Sequence, residues 1–179
     1  KKKLIALIGG PGTGKTTLIN ALIKKGYRCY PEVSRDVILN AQKEGIDQLF
    51  LEKPLLFSEL LLQGRIQQHQ NASNETHDLV FLDRGIPDVV AYLDFVNSEY
   101  PEDFIKACEQ FKYDQLFLLP PWEEIYQSDN ERYENFEQAT QLYQFLARTY
   151  SNFGYQVVEV PKDTVDNRVD FILKNIQNS

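Results

Sequence analysis

The sequence is poor in residues that build covalent or metal-linked frameworks. Its 179 residues include two cysteines and two histidines, and the cysteines, Cys29 and Cys108, lie far apart. Small domains that depend on disulfides carry a denser set of cysteines, and structural zinc sites space their cysteines a few residues apart. The sequence therefore argues against a disulfide scaffold and a cysteine-based zinc site, and it predicts two free, buried thiols.

Long apolar runs and low-complexity segments are also missing. The longest apolar run near the start, Leu4 to Ile8, has the length of a β-strand, whereas a membrane-spanning helix needs about 20 apolar residues. There is no Gly/Ser-rich linker, no repeat of fixed period and no signal-peptide pattern. We therefore expect one domain over residues 1–179 that does not enter a membrane and works in the cytoplasm.

Positive charge is scarce. The chain has 19 Lys and Arg residues against 26 Asp and Glu residues, which gives a net charge of −7. Nucleic-acid backbones are bound by clustered Lys and Arg, so we expect no nucleic-acid partner. A small nucleotide needs only a local basic pocket, and the charge balance does not argue against one.

Five short apolar runs alternate with segments of helical periodicity. Three of the runs are apolar throughout, a pattern typical of strands covered on both faces, as in a parallel sheet. The alternation predicts an α/β three-layer sandwich with a five-stranded parallel sheet, a long helical insertion between the second and third strands, and a lid over about residues 120–135. The expected strands are 4–8, 27–33, 79–82, 116–119 and 157–160, and the expected helices are 16–25, 34–43, 54–72, 87–96, 102–111, 135–153 and 165–176.

A glycine-rich loop joins the first expected strand to the first expected helix. Residues 9–16, Gly-Gly-Pro-Gly-Thr-Gly-Lys-Thr, match G-x-x-x-x-G-K-[ST], the P-loop motif. Glycines let successive backbone N–H groups turn towards phosphate oxygens, and the helix start adds its positive end. The motif predicts binding of ATP and Mg²⁺, with Lys15 on the β- and γ-phosphates and Thr16 on the metal. The other expected nucleotide-binding residues are Gly10, Gly12, Thr13, Gly14 and Thr17.

Asp83 closes the third apolar run. A carboxylate at the end of a buried strand needs a partner, and beside a P-loop the natural partner is Mg²⁺, bound directly or through water. The alternatives are a helix cap or an ion pair with Arg84. Asp83 is therefore a candidate metal ligand and catalytic residue.

The segment Asp83-Arg84-Gly85 after an apolar strand resembles the Asp-Arg motif of deoxynucleoside kinases and thymidylate kinase. With the P-loop and a later lid arginine, it is similar to the nucleoside and nucleotide kinase branch of the P-loop fold. The longer segment from Asp83 to Asp88, with Ala91-Tyr92 after it, resembles more closely a group of bacterial AAA-type ATPases with a kinase-like core, which is related to the nicotinamide riboside kinase domain. The resemblance implies phosphoryl transfer but names no acceptor.

The same resemblance implies roles on the acceptor side. In these kinases a Glu at the end of the second strand acts as general base on the acceptor hydroxyl, and Glu32 occupies that position. The alternative is that Glu32 caps the following helix and pairs with Arg35, which is itself a candidate for binding an anionic acceptor or the γ-phosphate. Asp88 fits an acceptor pocket and the first turn of a helix equally well. The other expected acceptor-side residues are Arg84 and Tyr92.

The resemblance also implies that the lid closes over the phosphates. Arg132 is the candidate for stabilising transition-state charge, and the alternative is a surface salt bridge with Asp129 or Glu131. The related kinases often have more than one lid arginine, so a second role falls to Arg84 or Arg35, or is absent. The lid also carries Trp122 and Tyr126.

The region after the fifth expected strand corresponds to the part of such folds that contacts adenine. Arg168 in this region fits base stacking and an exposed helix position equally well. No Asn-Lys-x-Asp guanine motif occurs, which favours ATP over GTP.

Two functions from different classes remain open. The first is an ATP- and Mg²⁺-dependent phosphotransferase that acts on a small nucleoside-like or related acceptor. The second is an ATPase that serves as a regulatory or conformational switch without such an acceptor. A helical insertion able to wall a pocket favours the first. The expected partners are the nucleotide and the acceptor, in a monomer or homodimer.

Overall fold

The computed structural model describes residues 1–10, 12–125 and 135–176, apart from the side chain of Phe50. Within these ranges strands alternate with helices along the chain. The elements are β1 (Lys3–Ile8), α1 (Lys15–Lys24), β2 (Arg28–Tyr30), α2 (Ser34–Lys43), α3 (Leu49–Glu52), α4 (Pro54–Asn74), β3 (Leu79–Asp83), α5 (Pro87–Phe95), α6 (Asp103–Gln110), β4 (Gln115–Leu118), α7 (Phe136–Asn152), β5 (Val157–Glu159) and α8 (Val165–Asn175).

The strands form one parallel sheet with the order β2-β3-β1-β4-β5. Strand β1 lies in the middle and pairs with β3 on one side and with β4 on the other. The chain therefore proceeds outward in both directions from β1, and the loop after β1 lies at the point where the order reverses. Ligands of open parallel sheets bind at such switch points, beyond the carboxyl ends of the strands.

Side chains of β1 point alternately to two separate apolar layers. Ile5 and Leu7 pack with residues of α1 and α8, and Leu4, Ala6 and Ile8 pack with residues of α4, α5, α6 and α7. Both faces of the sheet are therefore covered, which explains why β1 is apolar throughout. The predicted three-layer α/β sandwich with five parallel strands is confirmed.

The helical insertion between β2 and β3 contains a short helix, α3, that the sequence pattern does not predict. Its first residue, Leu49, is buried, so tertiary packing holds a turn too short to show periodicity. The following helix α4 begins with Pro54, whose missing N–H costs nothing in a first turn.

Cys29 and Cys108 are free thiols, with Cys108 buried and Cys29 half-buried. None of the helices in the described ranges has both the length and the apolar character that a membrane span requires.

A close contact joins α4 to the start of α2. A Cβ built on Gly64 of α4 would overlap Cγ1 of Val33. Because Val33 directly follows Glu32, this contact also fixes the backbone that carries the Glu32 carboxylate towards the sheet edge.

We expect Gly64→Ala to destabilise the protein despite the gain in helix propensity. Alanine is favoured over glycine in helices by about 1 kcal/mol, but overpacking of a filled contact costs about 1–3 kcal/mol. The net loss should appear in the free energy of unfolding measured by urea denaturation. Gln63→Ala, on the exposed side of α4, is the matched control. The double variant with Val33→Ala should recover stability, and a single variant as stable as the wild type would contradict the contact.

Candidate active site

The predicted P-loop follows β1 and leads into α1. Gly12 and Gly14 have positive φ angles of 74° and 80°, a left-handed conformation that favours glycine. The Thr13 hydroxyl closes the turn by donating to the Gly10 carbonyl at 2.9 Å. Thr16 and Thr17 lie in the first turn of α1 and are exposed. Gly12 and Gly14 thus use the conformational freedom for which the motif places glycine in this loop.

Lys15, the first residue of α1, and Asp83, the last residue of β3, form an ion pair. Lys15 Nζ lies 2.5 Å from Asp83 Oδ1, with the two side chains only 6% and 13% exposed. Burial lowers the pKa of Lys15, as does Arg84, whereas the Asp83 and Glu32 carboxylates act to raise it. Asp83 therefore has a cationic partner, as its position requires. Among the described contacts this partner is Lys15, and not Arg84 or a helix end, the two alternatives considered from the sequence.

Arg84 turns away from Asp83 and pairs with Glu32. Its φ of 71° places it in the left-handed region. Residues other than glycine adopt this conformation at an energetic cost, and such residues cluster at functional sites. Its N–H donates to the Leu7 carbonyl at 2.9 Å, and its Nε lies 3.3 Å from Glu32 Oε1. The left-handed turn thus sends two consecutive charged side chains to different partners.

Glu32 does not cap α2. The N-cap of α2 is Val33, which makes no side-chain capping bond, and the Glu32 carboxylate accepts from the Ser34 hydroxyl. The ion pair of Glu32 is with Arg84 and not with Arg35. The capping alternative considered from the sequence is therefore wrong.

The charges around Glu32 keep it ionised. Burial acts to raise the pKa of this carboxyl, but Arg84, Lys15 and the Ser34 hydroxyl together lower the pKa to about 2. A carboxylate with so low a pKa is a weak base. It gains basicity only when the neighbouring cations are drawn towards other anions.

The residues at this edge fit a magnesium ion. Hydroxyl and carboxylate oxygens are the ligands that Mg²⁺ prefers, and it commonly takes one or two protein ligands together with phosphates and water. Thr16 and Asp83 provide such a set. Among the described residues no group of three or more His, Cys, Asp or Glu side chains is arranged to hold a metal alone.

A cavity of about 390 Å³ opens beside the P-loop, where Gly10 forms part of its wall. Its other walls come from α2, α3, α4, α5 and α7 and are mostly apolar. The structure brings four of the expected acceptor-side residues together in the lining: Glu32, Arg84, Asp88 and Tyr92. Arg35 is exposed on α2 and is not part of the lining. Arg132, Tyr126 and Asp129 lie outside the described residues.

Two polar residues of the cavity, Ser58 and Arg65, are missed by the sequence analysis. They lie seven residues apart on α4 and are 0% and 3% exposed. Arg65 Nη1 donates to the Gly85 carbonyl at 3.2 Å, whereas Ser58 Oγ and Arg65 Nε have no hydrogen-bond partner among the described residues. The sequence signal is the helical spacing of Ser58 and Arg65 with the apolar pair Leu61 and Leu62, which places all four on the buried face.

Asp88 is held by a buried network. Its carboxylate accepts from the Gly85 N–H at 3.2 Å and from the Tyr150 hydroxyl at 2.5 Å. Burial, and next the Asp88 charge, raise the pKa of Tyr150 well above its usual value, so the phenol stays a donor. A Cβ on Gly85 would lie 2.5 Å from the same hydroxyl. Asp88 thus lies in the first turn of α5 and also lines the cavity; its role towards an acceptor stays a prediction.

Asp83→Asn should separate the metal from the nucleotide. Breaking a buried ion pair costs about 3–5 kcal/mol, so we expect a lower free energy of unfolding without nucleotide. ATP alone should bind at least as tightly as in the wild type, because the carboxylate no longer holds Lys15 or repels phosphate. Adding Mg²⁺ should tighten ATP binding in the wild type only, as measured by calorimetry. Asp78→Asn, just before β3, is the control, and equal tightening in Asp83→Asn would contradict the metal assignment.

Comparisons with known proteins agree with this geometry. A family model described as an AAA domain matches residues 4–168. No curated protein is similar enough in sequence to count as a relative.

Several solved structures share the fold. A deoxyadenosine kinase from M. mycoides, with the products dCMP and dCDP bound, has a TM-score of 0.71 and 16% identity over 96% of this chain and 97% of its own. The NadR protein in complex with NR has a TM-score of 0.72 and 18% identity, and the match covers 99% of this chain but only 52% of NadR. Thymidylate kinase from Candida albicans has a TM-score of 0.69 and 18% identity over 97% of this chain and 90% of its own.

Identities this low establish a shared fold and nothing about substrates. The family model, in contrast, covers most of the sequence, from β1 to the first turn of α8. The protein therefore belongs to the AAA domain family, with the fold of the kinase-like P-loop NTPases.

Proposed function

We propose that this protein is an ATP- and Mg²⁺-dependent phosphotransferase that phosphorylates a hydroxyl group of a nucleoside-like acceptor. The observation that supports this most strongly is the position of Glu32. Its carboxylate lines the walled cavity, and its ion-pair partner Arg84 follows directly after Asp83, the partner of the P-loop Lys15. This position supports a role for Glu32 as the proton acceptor between the cavity and the P-loop.

On the nucleotide side, the ion pair between Lys15 and Asp83 is exchanged for two new pairs. Lys15 binds the β- and γ-phosphates together with the backbone N–H groups of the loop. Asp83 and Thr16 would hold Mg²⁺, which would supply positive charge to the phosphate oxygens. Both partners of the original pair keep an opposite charge, so neither is left buried alone.

On the acceptor side, the exchange makes Glu32 a better base. The guanidinium of Arg84 and the ammonium of Lys15 hold its pKa at about 2 against the effect of burial. As the phosphates attract both cations, the carboxylate is relieved of their charge. It accepts the proton of the acceptor hydroxyl as that oxygen attacks the γ-phosphorus, and the bond from this phosphorus to the β–γ bridging oxygen breaks, so that ADP leaves. Proton transfer is late in a loose transition state, so Glu32 contributes orientation as well as basicity.

The cavity favours an uncharged acceptor. Its charged lining residues are two arginines, Arg65 and Arg84, and two carboxylates, Glu32 and Asp88, so the side-chain charges balance. A nucleoside monophosphate would add about two negative charges, which phosphate groups carry near neutral pH, to a lining whose side-chain charges already balance. The volume of about 390 Å³ lies in the usual range of small-molecule pockets, roughly 300–1,000 Å³.

A regulatory ATPase remains the alternative to a phosphotransferase, but it has no use for a walled cavity beside its P-loop. The preference for ATP over GTP, the role of Arg132 in the lid, and the state as monomer or homodimer stay predictions.

The proposal predicts ATP turnover that depends on an uncharged nucleoside. Labelled ATP and Mg²⁺ are incubated with sets of nucleosides, nucleoside monophosphates and sugars, and release of ADP is compared with and without each compound. Phosphorylation of a nucleoside supports the proposal, and faster turnover with monophosphates would overturn the charge argument. Hydrolysis that no acceptor accelerates would favour the switch.

Glu32→Gln should lower acceptor-dependent turnover by about 10²–10⁴-fold, the usual contribution of a general base. ATP affinity should change little, because the amide keeps the size and most hydrogen bonds of the carboxylate. Glu44→Gln, at the exposed end of α2, is the matched control. Turnover at the wild-type rate in a folded Glu32→Gln variant would remove Glu32 as the base.

Ser58→Ala should weaken acceptor binding without lowering the free energy of unfolding. Its buried hydroxyl has no partner in the described structure, so its removal should leave the free energy of unfolding unchanged or raise it. If an acceptor group bonds to this hydroxyl, the acceptor KM should rise by about 5- to 10-fold, the value of one neutral hydrogen bond. ATP affinity is the internal control, and an unchanged acceptor KM would place the acceptor elsewhere.

A further inference from the structure

Arg168 lies behind the P-loop, and the proposed phosphoryl transfer assigns it no role. It is only 2% exposed, so its interpretation as an exposed helix residue is wrong. Its Nη1 donates to the Thr13 carbonyl at 2.7 Å, and its Nε donates to the Pro161 carbonyl at 2.8 Å. One guanidinium therefore joins the P-loop to the turn that follows β5.

Arg168 is fixed at its root as well as at its tip. The helix α8 starts after Thr164, whose side chain accepts from the Asn167 N–H, and the Arg168 N–H donates to the Thr164 carbonyl at 2.9 Å. A capped first turn has little freedom to rotate, so the guanidinium is presented to the loop by a rigid support.

A second residue holds the neighbouring peptide group of the loop. The backbone N–H of Trp122 donates to the Gly12 carbonyl at 3.0 Å. The indole of Trp122 lies against the Arg168 guanidinium, with 5.3 Å from Cζ to the ring centroid, which is within the range of a cation–π contact. Trp122 and Arg168 thus bind two consecutive loop carbonyls and also each other.

The planarity of the peptide bond turns these contacts into a constraint on phosphate binding. In a trans peptide the carbonyl of one residue and the N–H of the next point in opposite directions, and no cis peptide occurs among the described residues. With the Gly12 and Thr13 carbonyls held by Trp122 and Arg168, the N–H groups of Thr13 and Gly14 point to the opposite side of the loop. These are N–H groups of the kind with which a P-loop binds phosphates.

The glycine at position 14 completes the arrangement. A Cβ on Gly14 would lie 2.7 Å from Nη1 of Arg168. The guanidinium therefore packs against the backbone of the loop where a side chain would otherwise be, and the loop sequence and Arg168 fit each other.

We propose that Arg168 is a positioning residue of the nucleotide site, which holds the P-loop from behind so that the Thr13 and Gly14 N–H groups face the phosphates. This inference rests on nucleotide binding by the P-loop and not on the identity of the acceptor. It holds whether the protein is a phosphotransferase or a switch, and its test needs no acceptor.

The test compares Arg168→Met and Arg168→Lys by calorimetric titration with ADP. Loss of both carbonyl contacts in the Met variant should weaken ADP binding by about 10- to 100-fold, as for other residues that orient a binding group. The Lys variant keeps a charged donor and should recover part of the loss. Lys174→Met, in the last turn of α8, is the matched control and should bind ADP within about twofold of the wild type.

Trp122, the single tryptophan of the chain, gives a second readout that a general loss of stability would not produce. The Met variant should shift the tryptophan emission of the folded protein and reduce the change that ADP causes in it. Once an acceptor is known, the nucleotide KM should rise in this variant while the acceptor KM stays unchanged.

Two results would overturn the proposal. The first is a folded Met variant that binds ADP within about twofold of the wild type. If that variant does not fold, the Lys variant decides: ADP binding and tryptophan emission both equal to the wild type would show that the guanidinium contacts do not position the loop.

Discussion

The structure depends on an alternation of charge at the carboxyl edge of three adjacent strands. Glu32 lies two residues after β2. Asp83 is the last residue of β3, and Arg84 follows it. Lys15 comes after the loop that follows β1. Burying any one of these charges alone would cost several kcal/mol. In the order β2-β3-β1 each cation meets a carboxylate, at 2.5 Å for Lys15 and 3.3 Å for Arg84. The order of the strands and the sequence of the charges are therefore one constraint, since another order would separate these buried and half-buried charges from their partners.

The same alternation explains how a site built from buried charges can accept a highly charged ligand. A triphosphate with its metal brings both signs, so in the proposed reaction the pair of Lys15 and Asp83 would be exchanged rather than broken. Phosphate would take the place of the carboxylate beside Lys15, and Asp83 would hold the metal in place of the ammonium. The left-handed backbone of Arg84 directs the side chains of Asp83 and Arg84 to different partners. One stays beside the P-loop and the other reaches Glu32 at the cavity. Local strain at this residue is the physical connection between the two halves of the proposed reaction.

How much of this is visible in the sequence depends on the separation of the partners. Local patterns predict the P-loop, the end of β3 at Asp83 and the periodic helices. The structure confirms the bounds of these strands and helices within a few residues. The pairing of Lys15 with Asp83, of Glu32 with Arg84, and of Asp88 with Tyr150 joins residues tens of positions apart, and no local pattern encodes which charge meets which. Ser58 and Arg65 were missed for a related reason: on α4 they occupy positions that periodicity assigns to the core, and only the packed structure shows a cavity there.

The two faces of the sheet divide the work of the site. Nucleotide-side support comes from Arg168 of α8, on the layer that α1 and α8 share, whereas the cavity is walled by α2, α3, α4, α5 and α7. Only the loop after β1 and the ends of β2 and β3 take part in both. Side chains of the cavity can therefore change without disturbing the Thr13 carbonyl, because Arg168 binds it from the opposite layer. A fold of this kind can keep one P-loop while the pocket beside it is reshaped.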